Sequence, residues 1–205
     1  MARANLGVLK GFKYYAPLNN TGFASPQPFF VASGYGTAIY PGDPLASVND
    51  GTVAVTAAGT GAGSHAICSS IRQATVAGEV KRHGLKYLPA STTYSTGGES
   101  IVMGIPVQGN LFECVVTGTN ASIAVARSAK FNNADHLLGT ADTGLGLSGA
   151  AIDMSTAATT ATLQWRIHRW MEELPSNDST QENWIVLVYA NVLNAVGGLP
   201  AVLGV

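Results

Sequence analysis

Charge is what this sequence has least of. Asp, Glu, Lys and Arg make up 11% of its 205 residues, against roughly 25% in an average domain. The formal net charge is −1, and the basic residues are scattered. Their densest group is Lys81, Arg82 and His83 with Lys86. A nucleic-acid binder needs a basic stripe long enough to follow phosphates, and this group is too short to be one. Cysteine is nearly absent too. Cys68 and Cys114 lie far apart in apolar runs, which makes neither a disulfide framework nor a zinc site; both read as buried free thiols. No run of about 18 apolar residues exists to span a membrane as a helix. No apolar stretch follows Met1–Asn5 as a secretory signal would require, so synthesis in a cytoplasm is expected.

Catalytic constellations are missing as well. His65, His83, His136 and His168 show no metal-ligand spacing. Asp135-His136 reads as an isolated pair in a loop. Gly146-Leu147-Ser148-Gly149-Ala150 approaches a nucleophile elbow but ends in Ala150 and lacks the strand-to-helix setting. The Gly59–Ser64 run has no Lys-Ser/Thr after it and no helix to hold a phosphate. Glu172 and Glu173 are adjacent, so their carboxylates point apart. A cleft with perturbed titratable groups needs such groups to begin with. The inventory therefore argues against an enzyme, and no cofactor or metal is expected.

What the chain does have is small and β-branched residues with frequent turn signals. Gly is abundant, and 46% of residues are hydrophobic, many of them Ala and Val. Such a chain folds, because a disordered one would be poorer in apolar residues. Its weakly charged surface suits a protein that buries much of itself against neighbours.

The clearest signal is Ile101–Thr119. It reads as an apolar strand, a turn around Pro106 and Gly109, and a return strand, Leu111–Val116, in which Phe112 and Val115 anchor the core. Thr37–Tyr40 reads as a short strand stopped by Pro41-Gly42-Asp43-Pro44. Leu45–Val48 and Thr52–Thr56 read as a hairpin across Asn49-Asp50-Gly51, since Asp-Gly accepts the positive φ such turns need. His65–Val76 and Ala121–Ala126 alternate as strands. Phe131–Ala151 reads as a long Gly-rich connection. In Ala161–Trp170, Leu163, Trp165 and Ile167 alternate with polar residues, and a strand is preferred over a helix with anchors at Ile167, Trp170, Met171 and Leu174. Trp184–Tyr189 is a continuous apolar strand. The predicted class is all-β: an antiparallel β-barrel or a jelly-roll-like sandwich, with long Gly-rich loops.

Residues 1–35 stand apart as an extended N-terminal arm, ahead of a single β-rich domain over residues 36–196 and an apolar tail over 197–205. The first forty residues hold half of the chain's aromatics, spaced by Gly and Pro that prevent a helix. Aromatics on an extended segment want a surface to lie on. That surface is either the chain's own domain or a neighbouring subunit. The candidate interface residues are Phe12, Tyr14, Tyr15, Phe23, Phe29 and Phe30, with Lys81 and Arg82 on the basic loop.

Several stretches together resemble the capsid decoration, or cement, proteins of tailed bacteriophages. They are Tyr40-Pro41-Gly42-Asp43-Pro44-Leu45 with Asn49-Asp50-Gly51-Thr52-Val53; Pro106 followed by Leu111-Phe112-Glu113 and Thr117-Gly118-Thr119; Thr143-Gly144 to Ser148-Gly149-Ala150 with Ile152-Asp153; and Thr162–Ile167, Asn177-Asp178 and Val186–Asn191. The resemblance spans residues 36–195 and leaves out residues 1–35; the stretch before Phe112 is less acidic than in such proteins. It implies a structural protein on the outside of an icosahedral shell, bound to the major capsid protein between capsomers, with a homotrimer favoured over a dimer. It brings no catalytic residues, direct nucleic-acid contact or membrane. Two other roles compete: a head-fibre, tail or adaptor component, and a carbohydrate-binding β-domain using Trp165, Trp170 and Trp184.

Overall fold

The computed structural model describes residues 11–18, 24–59, 63–74, 84–92, 100–117, 128–170 and 185–191. Every named element among them is a strand, as the β-branched and turn-rich pattern predicts. The eleven are β1 (Lys13–Pro17), β2 (Gln27–Val31), β3 (Pro44–Ser47), β4 (Val53–Val55), β5 (Ala66–Gln73), β6 (Ser100–Pro106), β7 (Asn110–Thr117), β8 (Asn133–Asp142), β9 (Leu147–Ala158), β10 (Trp165–Trp170) and β11 (Ile185–Ala190).

Strands β2 to β6 close into a barrel in the order β2-β4-β3-β5-β6. Strands β7 to β11 run β7-β11-β10-β8-β9, and a parallel contact returns β9 to β7. The second set is therefore also a closed circuit of pairings. Among the described residues one strand is added to it, β1, which lies antiparallel along β7.

The two rings share one topology, strand for strand. In each, the first and third strands pair in parallel, and the other four pairings are antiparallel. The match extends to register. Cys68 faces Gly104 as Ile167 faces Val188. Gly104 faces Gln27, and Val188 faces Phe112. Four residues on, Val31 faces Val53, and Val116 faces Ile152. Val53 faces Ser47, and Ile152 faces His136. Two residues back, Leu45 faces Ala66, and Ala134 faces Trp165. Ala66 precedes Cys68 by two residues, as Trp165 precedes Ile167. The circuit closes without slippage. Both fourth strands bulge just after that point, at Ser69 and His168.

The turns entering β3 and β8 match as well. Gly42 N–H donates to the Cys68 carbonyl at 2.7 Å, and Phe131 N–H to the Ile167 carbonyl at 2.9 Å. The return bonds, Cys68 N–H to Asp43 O at 2.8 Å and Ile167 N–H to Asn132 O at 2.9 Å, correspond too. Gly42 and Phe131 both sit at positive φ, 96° and 67°. Glycine takes that conformation freely, whereas a side chain there is strained. The described strands thus form two tandem five-stranded rings of one topology and one register.

Several expectations change. Residues 101–119 do not form a hairpin. β6 belongs to the first ring and β7 to the second, so Val107–Gly109 is the crossover between rings. Phe131–Ala151 is not a connection: β8 and β9 are the two longest strands, paired antiparallel through most of their length. Glycine and threonine masked them, because Gly139 and Gly149 face each other where a side chain would meet the opposite backbone. Thr37–Tyr40 yields a single bridge, Ile39 to Leu88. The Asn49-Asp50-Gly51 hairpin is present, with Gly51 at φ 83°. Ala121–Ala126 and the tail 197–205 lie outside the described residues.

The described part of residues 1–35 is not a separate arm. β1 pairs along β7, outside the five-strand circuit of the second ring, and β2 is a strand of the first ring. β1 covers Asn110–Glu113 of β7. The matching stretch, Ser25–Pro28, which leads into β2, has no strand on that side among the described residues. It carries Pro26 and Pro28, which cannot donate to an added strand.

Candidate functional site: the seam between the rings and the exposed apolar residues

Each ring has its own core. The first centres on Ile39, Leu45, Cys68, Leu88 and Val102, the second on Phe12, Phe112, Trp165, Ile167 and Val186. Ile67 and Ile105 leave the first ring to join the second core, so the rings meet along β5 and β6.

The meeting is close because side chains are missing there. A Cβ on Gly11 would lie 2.9 Å from Gly42 Cα and 2.8 Å from Ser148 Cβ. Backbone bonds cross the seam, Phe12 N–H to Gly42 O and Ser148 N–H to Pro41 O, both at 3.0 Å, while Gly11 N–H to Ala150 O at 3.1 Å ties the segment before β1 to β9 beside it. Asp43 is buried at this point. Its carboxylate accepts the Tyr40 N–H at 2.7 Å and a hydrogen bond from the Ser148 side chain. Burial pushes the carboxyl up to about 6, while these hydrogen bonds hold it down. Ser148 is fully buried in β9, so it is a seam residue and no nucleophile.

His136 is the second polar group of the seam. It stands on β8, fully buried, and not in a loop. The Trp165 Nε1–H donates to His136 Nδ1 at 3.2 Å, and His136 Nε2 meets the Thr56 carbonyl at 3.0 Å. An indole can only donate, so Nδ1 accepts and the proton resides on Nε2. Burial pulls the imidazole below its ordinary value. Strand-like alternation through Asp135–Leu137 was the available signal, and the glycines that follow obscured it.

A half-open pocket of about 290 Å³ lies beside the seam, lined by Phe12, Tyr14, Pro41, Ile67, Ile105 and Leu147. Its ionisable neighbours do not form a reacting set. Lys13 is largely exposed and pairs with Glu113 at 3.0 Å. The Cys68 thiol is buried, and burial pushes its pKa up, which suppresses the reactive thiolate. Cys114 behaves likewise. Among the described residues no group of three His, Cys, Asp or Glu could hold a metal ion.

The candidate interface residues separate. Phe12 is 3% exposed and stacks on Trp165 at 4.4 Å; it is a core residue and offers no surface. Tyr14 is half-buried edge-on to Phe112, and its hydroxyl accepts the Ala24 N–H at 3.3 Å. Phe29 is half-buried over Gly104 beside His65. Tyr15 and Phe30 are exposed, on β1 and β2 respectively. Phe23, Lys81 and Arg82 lie outside the described residues. Sequence reasoning missed Val48, Phe131, Leu137, Leu138 and Leu145, which are also exposed. Four of these, Phe131, Leu137, Leu138 and Leu145, fall in the stretch read as a connection.

No family model, no curated protein and no solved structure matches the chain.

Proposed function

We propose that the chain is a structural virion protein that binds the outer surface of a capsid between capsomers and stabilises the shell, as the resemblance to phage cement proteins implies. In this reading it acts as a homo-oligomer against the major capsid protein and performs no catalysis. The observation that carries the reading is the distribution of exposed large apolar side chains over both rings: Phe30 and Val48 on the first, Tyr15, Phe131, Leu137, Leu138 and Leu145 on the second. Single exposed apolar residues are ordinary. Here they accompany a chain with few charges, which gives a surface suited to close packing with little charge to desolvate. Cementing is multivalent: weak contacts repeated on a fixed lattice act together.

The test is the protein's abundance in particles. Quantitative mass spectrometry of purified particles is expected to find hundreds of copies per shell. A few copies would favour a tail or adaptor part, and none would end the virion reading. The carbohydrate reading loses one of its three platform residues, because Trp165 is fully buried with its indole N–H bound to His136.

A further inference from the structure

We infer that the outer edge of β8 is a pairing edge for a second copy of this chain, forming a two-fold contact of antiparallel β8 strands around Leu137 and Leu138. The repeat isolates the feature. In the first ring the β3–β4 hairpin closes at Asn49-Asp50-Gly51, directly after Ser47. In the second ring the corresponding residue is His136, and the hairpin continues as a two-stranded arm to its turn at Thr143–Gly146. One edge of that arm is used: β9 bonds to Pro41 across the seam and to Gly11 ahead of β1. The other edge is open. β10 runs beside β8 only at Asn133 and Ala134. From Leu137 to Thr140 four successive residues are exposed, so both faces of the strand are bare there and no other strand accompanies it among the described residues.

Unpaired edges invite added strands, and proteins ordinarily defend them with proline, charge or cover. This chain does so at Ser25–Pro28 with two prolines. The β8 edge has neither proline nor charge from His136 to Ala141 when His136 is neutral, and it shows two leucines, 41% and 42% exposed.

The chemistry favours a second copy over a foreign strand. Leu138 pairs with Ala150, whose carbonyl bonds to Gly11 on the far side of β9, so the backbone groups of Leu138 face the open edge. An antiparallel pair centred on Leu138 sets this leucine against its mate on one face and Leu137 opposite the partner's Gly139 on the other. Asp135 falls opposite the Gly139–Ala141 stretch, and Asp142 opposite Asn132–Ala134. Like charges therefore never meet, which is what a self-paired edge requires. The edge offers no charge by which a differently charged partner would be selected. A net charge of −1 leaves two copies little repulsion to overcome. The contact is short against the roughly 1,000 Å² of a standing interface, so the dimer is concentration-dependent and strengthens where copies are held close together. A two-fold contact gives dimers, unlike the trimer that the family resemblance implies, and the inference stands independently of the virion reading.

The full-length protein is examined by sedimentation velocity from about 1 to 200 µM and by mild oxidation of single-cysteine additions. The native Cys68 and Cys114 are buried and do not interfere. A dimer that grows with concentration and disappears in Leu138→Lys is expected, with Leu138→Cys cross-linking at least tenfold faster than the equally exposed control Val48→Cys. Circular dichroism confirms that each variant is folded. A monomer throughout, an oligomer that Leu138→Lys leaves intact, or a control that cross-links as fast would overturn the inference. Particle abundance has no bearing on these outcomes, so the two proposals fail separately.

Discussion

Replacing Asp43 by Asn tests the electrostatics of the seam. The carboxyl titrates near 6 in the folded chain and near 3.8 in the unfolded one. Between those values the folded state holds a proton that the unfolded state does not, so stability rises as pH falls through 6 and is lost again as pH climbs. A shift of about 2 units corresponds to about 3 kcal/mol of penalty for the buried charge above pH 7. Asn removes that charge and keeps an oxygen for the Tyr40 N–H, though a weaker acceptor. The variant is therefore expected to be about 1–3 kcal/mol more stable than the parent at pH 8. The advantage should fall to about a third of its pH 8 value at pH 4.5 and vanish only below about 3.8, where the carboxyl is neutral in the folded and the unfolded chain alike. His136 has the opposite sign. Its folded value is lowered, so below about 6.5 the unfolded chain takes up a proton that the folded chain refuses, and stability falls. In the parent the two terms oppose each other in acid; in the variant His136 acts alone, and the acid loss steepens. Urea titrations at pH 4.5, 6, 7 and 8 read the whole pattern. A stability difference between parent and variant that is the same at every pH, or a variant less stable at pH 8, would refute the reasoning.

Four further outcomes are expected. Phe12→Ala removes the ring stacked on Trp165 and should cost about 3–5 kcal/mol in urea unfolding, whereas Tyr15→Ala, on the exposed face of β1, should stay within about 0.5 kcal/mol. Gly42→Ala places a Cβ at φ 96°, 3.1 Å from Gly11 Cα and 3.2 Å from Ser148 Cβ; a loss of about 1–3 kcal/mol is expected, and a neutral result would mean the seam can open at no cost. Cys68 and Cys114 should resist a thiol reagent in the native protein and react together on unfolding, as followed by absorbance. Lys13→Ala breaks the ion pair with Glu113, but the lysine is 68% exposed, so the change should stay below about 1 kcal/mol and shrink with added salt.

The class of fold was legible because it rests on local signals. Alternation marked Trp165 and Ile167, β-branched runs marked β4 and β11, and Asp50-Gly51 marked the hairpin. Connectivity was not legible, because nothing local says which strands pair. Val107–Gly109 has the composition of a hairpin turn and serves as the passage between rings. β8 and β9 were hidden by glycines that are there so that two backbones can approach. The repeat was invisible because corresponding positions keep register more than identity: Leu45 matches Ala134, and Ala66 matches Trp165. The small residues of one ring stand where the other places large ones, and each core fills by its own combination. Of the candidate interface residues, Tyr15 and Phe30 are exposed, whereas Phe12, just ahead of β1, went inward to stack on Trp165.

The matched rings let one chain serve as its own relative. Each matched position of the shared strands has a counterpart that met the same backbone demand with a separate choice of residue. Val31 with Val116 and Val102 with Val186 agree, which marks demands of the backbone itself. Gly42 with Phe131 disagree at one strained φ. There the first half kept the residue that the conformation favours, and the second accepted strain to display an aromatic ring. A substitution in either ring can be judged beforehand by asking whether its counterpart already carries it.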